Sequence, residues 1–351
     1  MFIKGLGTAN PATRYTQKQC WEVFAQSDFS KQFSSRARAI VKKVLTGNNG
    51  IEARHLALDS LEDAFAVTPD DLQARFLKHA PALATQAAER AIADADLDPR
   101  DIDGVLISTC TGYLCPGLTS YVSERLDLRR DALALDLVGQ GCGAALPNLR
   151  TAEALLTSRK CVHVLSCCVE VCSAALYFDD DPGVLISACL FGDGAGAAVL
   201  SLSPGKNRRI EWKTSRSLLC PEDRDLLRFE QKAGMLRNIL TPQVPELASA
   251  HAERLFGETL AKAQIPRSTI TGWALHPGGR DVLIALRDKL QLNEHDTRWS
   301  ETVLRNYGNL SSPSIFFVLD AALHDSAPTG YWWMSSFGAG FSCHGALLKV
   351  D

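Results

Sequence analysis

A single cysteine lies between glycines where the sequence changes from a strand pattern to a helix pattern. Residues 132–138 form a short apolar run typical of a buried β-strand, and residues 144–158 carry Ala and Leu at helical spacing. Cys142 therefore lies near a helix N-terminus, where unpaired backbone N–H groups favour negative charge. Such a position can lower the pKa of a thiol and create a nucleophile. The alternative from this segment alone is a buried structural cysteine beside a tight turn.

Strand and helix patterns alternate along the chain, which predicts an α/β protein with helices on both faces of its sheets. A chain of 351 residues is too long for one simple core. A polar, proline-containing stretch at 201–209 predicts a division into residues 1–205 and 206–351. Each half carries a strand–loop–helix unit with a reactive residue in its loop, which indicates structural duplication. We expect helix, rather than strand, up to about residue 68 and from about residue 220 to 256.

Composition excludes several classes of protein. The net charge of -3 and the lack of a basic tract argue against nucleic-acid binding. No apolar run reaches membrane-spanning length, and the first residues lack a signal-peptide pattern. The eleven cysteines are an odd count, which favours free thiols in a reducing cytoplasm. We predict no metal site among the cysteines that lie in apolar surroundings: Cys110, Cys115, Cys167, Cys168 and Cys172.

Two further loops carry reactive residues. His276 ends an apolar strand and precedes residues 277–279 and a helix, and Asn309 precedes an apolar helix at 313–323. Ligands of open α/β sheets bind beyond the carboxyl ends of strands, so these side chains can converge with Cys142. Taken alone, His276 is as well explained as a capping or core residue, and Asn309 as a turn residue. The combination of all three predicts one pocket.

Five segments, in order, match a known pattern. GQGCGAALPNLR contains Cys142, WALHPGG contains His276 and NYGNLSSPSIFFVL contains Asn309, while FGDGAGAAVLS begins at Phe191 and SSFGAGFSCHG at Ser335. Together they resemble the motifs of type III polyketide synthases, the chalcone synthase-like members of the thiolase superfamily, over essentially the whole chain. This resemblance implies a thiolase-like layered αβαβα fold of two pseudo-duplicated halves.

The resemblance also implies a chemistry. Cys142 would accept an acyl group from an acyl-CoA starter, and His276 would stabilise the thiolate as an imidazolium partner. Asn309 and His276 would hold the enolate oxygen formed when malonyl-CoA loses carbon dioxide. Repeated condensation and cyclisation would give a resorcinol or a pyrone, without metal or cofactor, as in bacterial alkylresorcinol and alkylpyrone synthases. Two alternatives are a single-round β-ketoacyl synthase III-like enzyme and a non-catalytic acyl-CoA-binding relative.

Further site residues follow from the resemblance. Mostly small side chains are expected to bind substrate: Cys110, Thr111, Cys115, Cys172, Ala175, Trp212 and Gly338. For Trp212, a place in the core is the alternative. Small apolar walls suit a long aliphatic starter better than a flat aromatic one. Cys115 matches the position that reaches the partner's cavity in a homodimer. Three basic residues are expected near the CoA phosphates, although a solvated helix face explains them equally well: Arg38, Lys42 and Lys43.

Overall fold

The computed structural model of the protein describes residues 1–206, 209–325 and 327–351. Residues 207 and 208, within the predicted division at 201–209, lie outside the described residues. The strands are β1 (Phe2–Ala9), β2 (Arg14–Thr16), β3 (Ala53–His55), β4 (Gly104–Ser108), β5 (Leu133–Leu137), β6 (His163–Glu170), β7 (Gly194–Ser201), β8 (Ile210–Leu219), β9 (Leu227–Lys232), β10 (Met235–Leu240), β11 (Ile270–Leu275), β12 (Gly330–Gly338) and β13 (Ser342–Val350). The helices are α1 (Gln17–Gln26), α2 (Ser35–Thr46), α3 (Pro69–Asp94), α4 (Leu118–Arg125), α5 (Ala145–Thr157), α6 (Pro182–Leu190), α7 (Val244–Ala263), α8 (Arg280–Leu290), α9 (Glu294–Tyr307) and α10 (Ser314–His324).

Nine strands form one mixed sheet in the order β11-β12-β13-β8-β1-β7-β6-β4-β5. Strand β4 is parallel to both β5 and β6, and β11 is parallel to β12, while the other pairs are antiparallel. Strands β1 and β8 pair only through Phe2 and Ile3. This short link joins the strands that precede residue 202 to those that follow residue 209, and the division into 1–205 and 206–351 stays a prediction.

Helices lie on both outer faces and between the two parts of the sheet. Helix α3 packs on β1, β6 and β7, whereas α7 and α8 pack with β11 to β13. Helices α5 and α10 share a central core with strands from both parts. The predicted αβαβα order of layers is therefore confirmed. Among the described residues, no helix combines the length and the apolar character that a bilayer span requires.

Helix α3 shows how the sequence specifies this packing. The side chain of Thr68 caps its N-terminus by accepting a hydrogen bond from the backbone N–H of Asp71. Its buried face carries alanines between residues 80 and 91, which let the helix lie close to β1. A Cβ atom on Gly7 of β1 would overlap the carbonyl oxygen of Ala87. Small residues on both sides therefore fix the distance between the helix and the sheet.

Three sequence predictions differ from the structure. Strand β5, expected to be buried, is an edge strand whose central side chains face solvent, so an apolar run did not imply burial. The region expected to be helical from about residue 220 to 256 is helical only from Val244, where α7 begins; before it lies the hairpin of β9 and β10, which turns at Ala233 and Gly234, both with positive φ. The expected helical N-terminal region begins with β1, where glycines interrupt the alternation typical of a strand.

Candidate active site

Cys142 lies in a short 3-10 turn, Gly141–Gly143, between β5 and α5, as the strand-to-helix junction predicted. The end of β12 supports this turn from the C-terminal half. A Cβ atom on Gly338 would lie 2.5 Å from the backbone nitrogen of Gly143, so only glycine fits there. The hydroxyl of Ser336 donates a 3.1 Å hydrogen bond to the carbonyl of Gly143. The turn is therefore held by residues far apart in sequence.

A chain of hydrogen bonds joins the three predicted motifs. The Ser311 hydroxyl donates to Cys142 Sγ at 3.1 Å, and the backbone N–H of Ser311 donates to Asn309 Oδ1 at 2.8 Å. Asn309 Nδ2 then donates to the Gly278 carbonyl at 3.1 Å, and the Gly278 N–H donates to the His276 carbonyl at 3.0 Å. The structure thus brings the segments of all three predicted catalytic residues together.

The imidazole of His276 is buried, with 1% of its surface exposed. Its backbone N–H bonds to the carbonyl of Ser335, and its ring packs edge-on against Phe337 at 5.0 Å. Neither ring nitrogen has a hydrogen-bond partner among the described residues. Burial disfavours the imidazolium and lowers the pKa of His276 to about 3. His276 is therefore a neutral ring whose two nitrogens are both unpaired within the described residues.

The Cys142 thiol is also uncharged in the free pocket. Its pKa is raised to about 12, chiefly by burial; the hydrogen bond from Ser311 opposes the shift, and the negative charge of Glu170 adds to it. The expectation of a lowered thiol pKa is wrong for this pocket, because desolvation outweighs the favourable helix N-terminus. Formation of the Cys142 thiolate alone, or of the His276 imidazolium alone, costs free energy, because either charge would be buried.

A buried carboxylate at the end of β6 lies behind the thiol. Glu170 has no exposed surface and accepts hydrogen bonds from Ser312 Oγ at 2.6 Å, Thr111 Oγ1 at 2.9 Å and the Cys110 N–H at 3.0 Å. Its Oε1 also lies 3.4 Å from Ser311 Oγ. Desolvation raises the pKa of Glu170, and these hydrogen bonds oppose the shift. Sequence reasoning missed this residue, although an acidic side chain ending an apolar strand was a usable signal.

An apolar pocket, partly open to solvent, has Cys142 in its wall. Four predicted substrate-binding residues line it: Cys110, Thr111, Cys172 and Ala175. Its far end lies between α1, α2 and α6 and is lined by apolar side chains: Phe24, Val41, Leu45 and Leu185. Phe191 also lines the cavity, and its neighbour Gly192 donates a backbone hydrogen bond to Asn309. Sequence reasoning missed Phe191, although it begins one of the five matched segments.

The other predicted substrate-binding residues lie elsewhere. Trp212 is buried in the core, where its indole N–H bonds to Glu153 at 3.1 Å, so the prediction that it lines the cavity is wrong. Gly338 contacts the Cys142 turn instead of the cavity wall. Cys115 is exposed on the loop before α4, outside the cavity lining.

The three basic residues of α2 all face solvent, opposite the side of the helix that lines the cavity: Arg38, Lys42 and Lys43. Lys42 Nζ lies 5.8 Å above the ring of Trp21. This placement fits a phosphate-binding role and a solvated helix face equally well.

Comparisons with known proteins were made on sequence and on structure. The family described as FAE1/Type III polyketide synthase-like protein matches residues 10–220, and the C-terminal domain of chalcone and stilbene synthases matches residues 215–349. A 3,5-dihydroxyphenylacetyl-CoA synthase of Streptomyces toyocaensis is 30% identical, with 99% of this chain and 89% of that protein covered. The Alpha-pyrone synthesis polyketide synthase-like Pks18 of Mycobacterium tuberculosis is 26% identical, covering 99% and 91%. The crystal structure of PKS-I from the brown alga Ectocarpus siliculosus superposes with a TM-score of 0.88 at 26% identity, covering 99% and 98%.

Proposed function

Because the chain belongs to the type III polyketide synthase family of acyl-condensing transferases, we propose that it extends an aliphatic acyl-CoA starter with several malonyl-CoA units. The extended chain would then cyclise to a resorcinol or a pyrone. The observation that carries this proposal is the hydrogen-bonded chain from Cys142 to the His276 loop, which begins in the wall of an apolar pocket. Family membership favours this activity over the single-round and non-catalytic alternatives.

In the loading step, Cys142 Sγ attacks the thioester carbonyl of the starter while its proton passes to His276. The carbon–sulfur bond to CoA then breaks, and the CoA thiolate takes that proton. Asn309 keeps one amide N–H free, because Nδ2 carries two and only one bonds to Gly278. This free N–H and a protonated His276 are suited to stabilise an oxyanion at the tetrahedral stage.

In the extension step, malonyl-CoA loses carbon dioxide, and the two electrons of the broken bond form an enolate. The same donors, Asn309 Nδ2 and His276, would hold the enolate oxygen. The enolate carbon attacks the thioester carbonyl on Cys142, whose sulfur leaves as a thiolate that can be loaded again. Decarboxylation drives the condensation, so we propose that the reaction uses no cofactor.

The aliphatic starter is supported by the composition of the cavity wall. Its far end presents apolar side chains, and its one buried cation, Arg54, already donates to Gln17 and to two backbone carbonyls. A hydrocarbon chain can fill such a space without leaving polar groups unpaired. The test offers purified protein malonyl-CoA with short-chain, long-chain and aromatic acyl-CoA starters and identifies products by mass spectrometry. Preference for an aromatic or very short starter would contradict the proposal.

We also propose that α2 contacts the CoA phosphates through Arg38, Lys42 and Lys43. Their positive charges lie on a solvent-exposed face that a phosphate can reach without desolvation of the protein interior. Replacing the three by alanine should raise KM for malonyl-CoA and leave kcat unchanged. A fall in kcat alone would show that these residues act on something other than substrate binding.

A homodimer is proposed from strand β5. This strand ends the nine-stranded sheet, so one row of its backbone groups is unpaired, and Leu135 and Val138 on and beside it are 39% and 62% exposed. Cys115 lies on a neighbouring loop and would approach the partner's cavity. All eleven cysteines are free, which supports the proposal of a reducing, cytoplasmic location.

A further inference from the structure

Three side chains with metal-binding atoms meet outside the catalytic pocket. Cys220 follows β8, Asp223 lies in the turn that comes next, and His251 lies on α7. Their ligand atoms are all within 4.8 Å of one another, and this is the only cluster of its kind among residues 1–206, 209–325 and 327–351. The sequence predicts no metal site, but the cysteines on which that prediction was based do not include Cys220.

The local backbone brings these groups together. The N–H of Asp223 donates to the carbonyl of Cys220 at 3.0 Å, which closes a tight turn and points both residues to one side. Cys220 is anchored by two backbone hydrogen bonds with Phe341, of 2.8 and 3.1 Å. The ring of Phe341 packs on the imidazole of His251 at 5.8 Å. The cluster therefore lies on a fixed frame made by β8, α7 and the loop before β13.

One atom of the cluster lacks the partner that its burial requires. His251 Nε2 has almost no exposed surface and makes no hydrogen bond among the described residues. The nearest carboxylate oxygen, Asp223 Oδ2, lies 3.6 Å away, beyond normal hydrogen-bond distance. Buried polar atoms are nearly always satisfied, so a cation bound between these three groups would supply the partner that His251 Nε2 lacks among the described residues.

We propose that Cys220, Asp223 and His251 bind one divalent metal ion of the zinc class. Thiolate and imidazole ligands select zinc-like ions, whereas magnesium and calcium require oxygen ligands. A thiolate and a carboxylate supply two negative charges, which balance the charge of the ion. Binding displaces the thiol proton, so each ion bound by sulfur releases one proton to solvent.

The geometry requires only a small closure. Ligand atoms around a tetrahedral zinc ion lie about 3.5 Å apart, and the separation of 3.6 Å between His251 and Asp223 already matches. The remaining contraction falls on the short turn Pro221–Leu226, in which no side chain is buried. Asp223 and His251 keep 27% and 17% of their side chains exposed, so an ion can enter and a water molecule can take the fourth position.

A bound ion would also act on the catalytic side of the molecule. Phe341 stacks on Phe337 at 6.1 Å, and Phe337 packs edge-on against His276 at 5.0 Å. The ion would fix His251 and Cys220, which hold Phe341 from two sides. It would therefore stiffen the wall behind the catalytic imidazole without touching substrate.

Cobalt(II) titration of the full-length, chelator-treated protein under a non-thiol reductant tests the proposal. We expect one equivalent to bind with a thiolate-to-cobalt charge-transfer band, one proton to be released, and zinc to displace the cobalt. The band should be lost in Cys220→Ser. Asp223→Asn and His251→Gln should weaken binding by more than the roughly 10- to 100-fold typical of losing an outer-shell partner.

Matched controls separate this site from the other thiols and carboxylates. Cys115→Ser removes an exposed thiol, Cys142→Ser removes the catalytic one, and Glu222→Gln removes the adjacent carboxylate; each should keep the band and the affinity. Absence of saturable binding, or a band that persists in Cys220→Ser, would overturn the proposal. Should Cys220→Ser fail to fold by circular dichroism, Asp223→Asn decides, since its partly exposed side chain tolerates the change.

Discussion

The hydroxyl of Ser311 lies 3.1 Å from the sulfur of Cys142 and donates a hydrogen bond to it. This contact joins the nucleophile to the loop that carries Asn309, and it is the interaction that most favours the thiolate in the free pocket. Because buried charge is costly here, small changes around this sulfur should have measurable effects on its reactivity.

Replacement Ser311→Ala should slow alkylation of Cys142 by iodoacetamide at pH 8. Loss of the donor raises the thiol pKa, and a typical net hydrogen-bond free energy corresponds to a roughly three- to tenfold lower rate. Mass spectrometry of the peptide that contains Cys142 separates this thiol from the other ten. Ser312→Ala is the matched control, because Ser312 bonds to Glu170 and not to the thiol. An unchanged rate in Ser311→Ala would contradict the role of the hydroxyl.

Glu170→Gln should have the opposite effect on the same thiol. The carboxylate charge raises the pKa of Cys142, so its removal should speed alkylation at a given pH. The amide would also turn an N–H towards donors such as Thr111 Oγ1, which should lower the free energy of unfolding by roughly 1–3 kcal/mol. Urea unfolding measures the second effect. Slower alkylation would show that the carboxylate acts on Cys142 through something other than its charge.

His276→Gln should make the protein less sensitive to acid. The folded-state pKa of His276 is about 3, below the ordinary value of 6.5, so the unfolded state binds the proton first as the pH falls. Stability is therefore fully present above pH 6.5 and is lost as the pH falls towards 3. At pH 5 this group costs the wild type up to about 2 kcal/mol relative to pH 8. The midpoints of urea unfolding at pH 8 and pH 5, measured for the wild type and for His276→Gln, test this prediction. An equal loss of stability in both proteins would contradict it.

Cys172→Phe should shorten the longest starter that the enzyme accepts. Cys172 is buried and lines the cavity beyond Cys142, so a ring there occupies the path of a long acyl chain. We expect turnover of the longest starter to fall roughly tenfold or more, with short starters spared. Val162→Phe adds the same ring at a site that is 64% exposed, and it should change the turnover of neither long nor short starters. Equal losses for all starters would indicate general damage instead of a shorter cavity.

Val138→Asp should convert a dimer into a monomer. A charge beside the edge of β5 would be desolvated against its own copy in a symmetric interface. Light scattering after gel filtration should give twice the chain mass of 38.2 kDa for the wild type and the single mass for the variant. Leu202→Asp, at another exposed leucine, is the control. A monomeric wild type would exclude the proposed dimer.

The sequence predicted helices and central strands correctly where the apolar periodicity of a segment and its length indicated the same type of element, as in α3, α5 and β4. It did not predict β5 as an edge strand, because an apolar run reports composition and not which neighbours a strand acquires. The hairpin of β9 and β10 was missed because its turn, Ala233–Gly234, lacks the usual Asn-Gly or Asp-Gly signal.

The site was predictable to a similar extent. The matched segments identified Cys142, His276 and Asn309, whose loops the hydrogen bonds then connect. The neutral state of the thiol could not be predicted, because it depends on burial by residues distant in sequence; Glu170 was missed although it ends an apolar strand. Trp212 shows the opposite error, because a residue that was predicted to line the cavity lies in the core. A residue close in sequence to a position that lines the cavity in the family can face the other side of its strand.

The close approach of Gly338 to the Cys142 turn has a consequence for how the enzyme is made. The nucleophile is synthesised well before the strand that holds its turn in place, since Cys142 precedes β12 by more than half of the described sequence. A nascent or prematurely terminated polypeptide would carry the sulfur without its support. We therefore expect a chain cut before Gly338 to be as inactive as one that lacks the cysteine itself.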